Sequence, residues 1–313
     1  MPLSERATSL AAQLSQVYRD AMQDSVGEIP TIRCSLSPRD SYSALRSARC
    51  SPLAQNVEDP QKASHVTIPM SAPTSPAIPS RAEEIDLDGH RITIRTWDGA
   101  GPRILLIHGI SSAGSAWSPV IPALAAEFTP VAIDMRGHGA SSKPERGYLY
   151  DDYIHDLEGV LAALGMEYPL IMGHSLGGIV TLWWASRHPD TAAALVIEDS
   201  PLRSGLSFMP AFDSWLELNA LPATELRARF AAENPHWSAT LLDERTALMS
   251  TTARNVFAEL RADSLAHHGA DRLAEIEAIR SPTLLIHGDL ETGGMVVPAD
   301  AEAFVQRLPN ARA

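Results

Sequence analysis

Cysteine is scarce in this chain of 313 residues: Cys34 and Cys50 are its only two, both in the N-terminal stretch. Two cysteines do not make a disulfide framework, so free thiols in a reducing compartment are expected. Long apolar runs are lacking as well. None approaches the roughly 20 residues needed to span a bilayer. No apolar core of a secretory signal stands near the start, so a soluble cytoplasmic protein is the expectation. Basic residues are outnumbered, with 25 Lys and Arg against 38 Asp and Glu and a formal net charge of −13. This argues against a nucleic-acid partner, which needs clustered Lys and Arg. The imbalance is uneven: residues 1–80 carry seven charges of each sign, so the whole acidic excess lies beyond them. No Cys and His spacing matches a metal site, and no G-x-G-x-x-G follows a strand-like run. Neither a metal nor an organic cofactor is implied.

What is present divides into zones. Residues 4–22 can form one amphipathic helix, with Leu10, Leu14, Val17, Tyr18 and Ala21 on one face. Residues 23–80 are rich in Ser, Pro and Arg with little periodicity, and Pro69, Pro73, Pro76 and Pro79 close the stretch. Such a segment buries too little apolar surface to offset its chain entropy, so residues 1–80 read as a largely disordered extension. A targeting peptide there is opposed by Glu5, Asp20, Asp24 and Glu28.

The folded unit begins near Glu84. Ile85 to Leu87 and Arg91 to Thr96 alternate around Asp88–Gly89, a pair that favours a tight hairpin. Continuous apolar runs follow at Ile104 to Ile107, Val131 to Ile133, Leu170 to Met172, Leu195 to Ile197 and Thr283 to Ile286, as expected of strands covered on both faces. Helical patterns lie between most of them, at Trp117 to Glu127, Tyr153 to Leu164 and Leu176 to Arg187. A hairpin followed by strand–helix alternation gives an α/β class: a doubly wound, mostly parallel sheet. Residues 203–275 break the alternation with helix-like stretches only, which predicts a helical cap over the mouth of a site.

Gly173, His174, Ser175, Leu176 and Gly177 spell G-x-S-x-G between the strand-like run ending at Met172 and the apolar helix from Ile179. The serine therefore sits on a sharp strand-to-helix turn, where glycines make room and the helix start offers free N–H groups to a developing oxyanion. Three further motifs keep family order around it: His108–Gly109, the run from Asp134 to Ser142 (DMRGHGASS), and His287 to Glu291 (HGDLE) followed by Val297–Pro298. Together they identify a chain that resembles the α/β-hydrolase superfamily, in its capped, serine-nucleophile branch, over residues 84–310. The serine is also what separates it from close kin of haloalkane dehalogenases and epoxide hydrolases, whose elbows carry aspartate.

The resemblance implies Ser175 as nucleophile, with the backbone N–H groups of Leu176 and Ile110 as oxyanion hole. It places the triad acid three residues after Gly288, at Glu291, with Asp289 as the alternative. His108, His138 and His174 are expected to build loops, as is the Asp134 to Arg136 segment. Trp183 and Trp184 are expected in core and interface. Phe208, Met209, Phe212, Trp215, Leu216 and Trp237 would give an apolar cap.

The family order is serine, acid, histidine, yet no histidine follows Glu291. Two expectations compete. One is a C-terminally truncated hydrolase whose base and last sheet strand are missing, most simply a carboxylic ester hydrolase acting on a small-molecule acyl substrate. C–C bond hydrolysis is its alternative chemistry. The other is a non-catalytic small-molecule binder that keeps the pocket. Intact upstream elements favour the first. The oligomeric state is not legible.

Overall fold

A computed structural model of the protein describes residues 78–202, 208–268, 270, 272–288, 290 and 294–313, all within one compact unit. The expected helix at 4–22, most of the extension, Cys34, Cys50, Asp289 and Glu291 lie outside the described residues.

The chain enters the sheet through a hairpin of β1 (Ser80–Leu87) and β2 (His90–Trp97). Its turn is made by Asp88 at φ 50° and Gly89 at φ 87°, the left-handed pair that matches strand twist. Strand β1 is an exposed edge carrying Arg81, Glu83, Glu84 and Asp86, charges that discourage pairing with another edge. Then come β3 (Arg103–Ile107), β4 (Thr129–Asp134), β5 (Leu170–His174), β6 (Ala194–Glu198) and β7 (Thr283–Ile286). The order across the sheet is β1-β2-β4-β3-β5-β6-β7-β8, where β8 is Ala311–Arg312. Pairings from β4 onward are parallel; β2 meets β1 and β4 antiparallel. The expectation that the last strand is missing is thereby corrected. Ala311 and Arg312 pair with Thr283 and Leu284, and the short strand covers the N-terminal half of β7.

Apolar runs give two-sided burial because alternate residues feed different cores. Leu105, Ile107, Ile171, Leu195 and Ile197 join one cluster, while Ile104, Leu106, Leu170, Met172 and Val196 join the other. On the second face lies α1 (Ile121–Ala125), preceded by a 3₁₀ turn at Gly114–Trp117. The single helix expected at Trp117 to Glu127 is therefore two short pieces, since Pro122 fits only in the first turn of a new helix. On the first face lie α2 (Tyr150–Ala163), α3 (Leu176–Arg187) and later α9 (Pro298–Arg307).

Between β6 and β7 stand the cap helices α4 (Met209–Asn219), α5 (Ala223–Glu233), α6 (Ala239–Thr251) and α7 (Arg254–Ala266), then the short α8 (Arg272–Glu275). Met209, Phe212, Val256 and Leu260 of α4 and α7 pack into the sheet-side core. Leu226, Phe230, Trp237, Leu242, Met249 and Phe257 build a core of the cap's own. No helix among the described residues is long and apolar enough to cross a membrane.

Candidate active site

Strands β3, β5, β6 and β7 end on one edge of the sheet, where a parallel α/β fold holds its ligands. There β5 turns abruptly into α3 at Ser175, whose φ of 50° and ψ of −115° lie outside the regions an ordinary side chain adopts. Close packing enforces the turn. A Cβ on Gly177 would stand 2.2 Å from the Ile107 carbonyl oxygen, and one on Gly173 would stand 2.5 Å from that of Gly177. The amide of Ser175 is anchored on the Glu198 carbonyl at 3.0 Å, and the serine carbonyl receives the amides of Gly178 and Ile179.

Among the described residues no side chain bonds the Ser175 hydroxyl, and neither Leu176 nor Ile110 donates its amide to a protein acceptor. Leu176 is the first residue of α3, so its N–H has no partner within the helix. The chain turns after Ile110 through Ser111 at φ 53°. Ser175, Leu176 and Ile110 all line one cavity, so the serine and the two residues with undonated amides border the same space.

Two of the motif histidines, His108 and His138, are loop builders. His108 is fully buried: one ring nitrogen lies 2.7 Å from the Gly109 carbonyl and the other accepts the Met135 amide at 3.0 Å. His138 bonds the Arg136 carbonyl at 2.9 Å, and the two rings meet edge to face at 5.0 Å. Burial pushes the His108 imidazole down to about 4 and that of His138 to about 3, so both are neutral near pH 7. Asp134 takes the amides of Gly114 (2.7 Å) and Ala140 (2.8 Å), and Arg136 pairs with buried Asp156. The segment from Asp134 to Arg136 is structural, as expected.

The cavity lies under the cap, with about 790 Å³ of empty space including its open mouth. Phe208, Phe212 and Trp215 of the expected apolar cap line it; Leu216 and Trp237 instead pack within the cap. The tryptophan pair separates: Trp184 is buried in the core, while Trp183 lines the cavity edge-on to Tyr150 at 4.7 Å. The role of Trp183 was hidden because both residues of the pair suit an apolar helix.

Sequence reasoning also passed over Asp199. It follows directly on β6, in the left-handed region at φ 39°. Its carboxylate takes the amide of Met295, a cavity residue, at 2.9 and 3.1 Å. Among the described residues four non-glycines have positive φ, and three of them, Ser111, Ser175 and Asp199, stand at this sheet edge. Strained backbone of that kind persists where surrounding structure over-determines it, most often at functional sites. The expected acids Glu291 and Asp289 lie outside the described residues.

A family model described as the alpha/beta hydrolase fold matches residues 102–313. The chain is 34% identical over 148 residues to 2-(acetamidomethylene)succinate hydrolase of Mesorhizobium japonicum, covering 47% of this chain and 49% of that protein. It is 32% identical over 158 residues to soluble epoxide hydrolase of a Corynebacterium species, covering 50% and 53%. Each alignment spans about half the length of the curated relative. The second shows that similarity to an epoxide hydrolase coexists with the elbow serine, since overall identity reflects the shared fold rather than one reacting residue. Among solved structures, N-formylmaleamic acid deformylase of Pseudomonas putida superposes with a TM-score of 0.62 at 22% identity, over 74% of this chain and 90% of that one, a likeness of fold.

Proposed function

This chain belongs to the α/β-hydrolase fold family, and on that premise we propose that Ser175 is the nucleophile of a carboxylic ester hydrolase acting on a small or medium acyl group. One observation supports this above the others: the strained serine and two undonated amides share one apolar cavity. In the proposed reaction the serine Oγ forms a bond to the ester carbonyl carbon while its proton passes to a base. The N–H groups of Leu176 and Ile110 hold the oxyanion, the alkoxide leaves with a proton, and water releases the acyl group. The base is an imidazole in this chemistry, and among the described residues none bonds Ser175. The resemblance to the family puts the orienting carboxylate at Glu291, three residues after Gly288, with Asp289 as its alternative. Asp199 is a second reading, favoured by its backbone strain and its bond to cavity-lining Met295.

The test is turnover of p-nitrophenyl esters by the full chain, by Ser175→Ala, and by Asp199→Asn against Glu291→Gln. Ester cleavage lost in S175A supports the reading. With a base supplied as added imidazole, removing the carboxylate that orients it should lower the rate clearly more than the other change does. Turnover of β-diketones without esters would shift the reading to C–C hydrolysis. A ligand that raises Tm but is never consumed would shift it to a binder.

A further inference from the structure

The lining of the Ser175 cavity is apolar on nearly every side, with Ile179 and Leu182 from α3, Phe212 from α4 and Leu260 from α7. Among the described lining residues none carries a charge at neutral pH. Among the described lining residues, one polar point besides Ser175 interrupts the wall. The Tyr150 hydroxyl and Ser264 Oγ lie 3.0 Å apart, and the two residues are only 7% and 6% exposed. Tyr150 opens α2 on the body and Ser264 belongs to α7 of the cap, so the pair bridges the two sides of the cavity.

This point is held rigidly. The Tyr150 amide donates to Asp263 Oδ2 at 3.0 Å, and its ring packs edge-on against Trp183. Binding sites commonly combine apolar walls with a few fixed polar groups that set orientation. Two hydroxyls bonded to each other can still donate and accept together, which suits a ketone or an alcohol. They offer no charge to offset the desolvation of a carboxylate.

Resting on Ser175 as nucleophile, we propose that Tyr150 and Ser264 form the specificity point of this cavity. The substrate is then an uncharged ester whose largely hydrocarbon acyl chain bears one neutral oxygen, a ketone or a hydroxyl, that bonds the pair. Acyl chains ending in a carboxylate are rejected.

Trp183 and Trp215 line the cavity, so tryptophan fluorescence reads occupancy without turnover. The experiment titrates the full chain carrying Ser175→Ala with ethyl hexanoate, its oxo-substituted forms and the half-ester of adipic acid. The titration is repeated with Tyr150→Phe or Ser264→Ala added. At least one oxo form should bind about tenfold tighter than ethyl hexanoate, the worth of one good hydrogen bond, and the half-ester at least about tenfold more weakly. The oxo preference should fall towards unity in each added variant. Should Y150F fold poorly, S264A, a smaller change, decides alone. A half-ester that binds as well as the neutral esters, an oxo preference untouched by both variants, or no quenching by any ligand would overturn the proposal. Loss of Ser175 reactivity with a fluorophosphonate in the otherwise wild-type chain would instead strike the hydrolase reading, leaving these binding ratios to stand on their own.

Discussion

The elbow and the cap are held by different physics. At the elbow, backbone meets backbone: glycines 173 and 177 leave no space for a Cβ, and the Ser175 amide is locked to β6. Such a turn is fixed by sterics and tolerates little. The cap is attached mostly through side chains, several of them reaching backbone, with one backbone bond from the Ala253 amide to the Gly137 carbonyl at 2.8 Å. Glu259 of α7 accepts the amides of Gly147 (3.1 Å) and Tyr148 (2.9 Å), Asp263 accepts that of Tyr150, and Asn255 donates to the Glu145 carbonyl. Part of its apolar packing belongs to a separate small core. A nucleophile needs a fixed position, whereas a cover over a cavity needs only to be seated. The difference suits both tasks.

Emptying the centre of the cap core gives the largest effect. Phe257→Ala, at a fully buried position, should cost about 3–5 kcal/mol. The cap should then melt before the body, seen as loss of Trp237 fluorescence ahead of the loss of sheet signal in circular dichroism. A single coincident transition would break the comparison.

Acid should act on the body, through its histidines. His108 and His138 have folded pKa values of about 4 and about 3, below the unfolded 6.5. The unfolded state therefore binds more protons below pH 6.5. The stability that these groups contribute is fully present above that pH and is lost as pH falls towards 4. From pH 7 to 5 the loss is about 2 kcal/mol for each imidazole. The urea midpoint should drop accordingly, and His138→Gln should flatten the drop by roughly half.

Gly177→Ala tests the elbow directly. A Cβ 2.2 Å from the Ile107 carbonyl oxygen forces the turn open, at about 1–3 kcal/mol. Reactivity of Ser175 should fall much further than stability. Glu259→Ala should cost about 1–2 kcal/mol, because it strips the acceptor from the amides of half-buried Gly147 and buried Tyr148. Hydrogen exchange should speed at residues 147 and 148 and along α7, while the strands stay protected.

The same contrast explains what could be read from the sequence. Strand β7 and helix α3 were legible to the residue, because apolar runs and the glycine-flanked turn report local geometry. The helical character of residues 203–275 was legible, since periodicity survives without tertiary detail. The hydroxyl pair was not, since Tyr150 and Ser264 lie 114 residues apart and neither carries a motif. Asp199 was passed over because nothing in its neighbours signals a positive φ. The short β8 has only two residues, too few for any run or alternation.

The most direct test of the central claim is covalent labelling of Ser175. A fluorophosphonate is reacted with the full chain with and without added imidazole, and the adduct is located by peptide mass spectrometry. Slow labelling confined to Ser175, accelerated by imidazole and lost in S175A, is the predicted result. An adduct on another residue, or none at saturating imidazole, would contradict it.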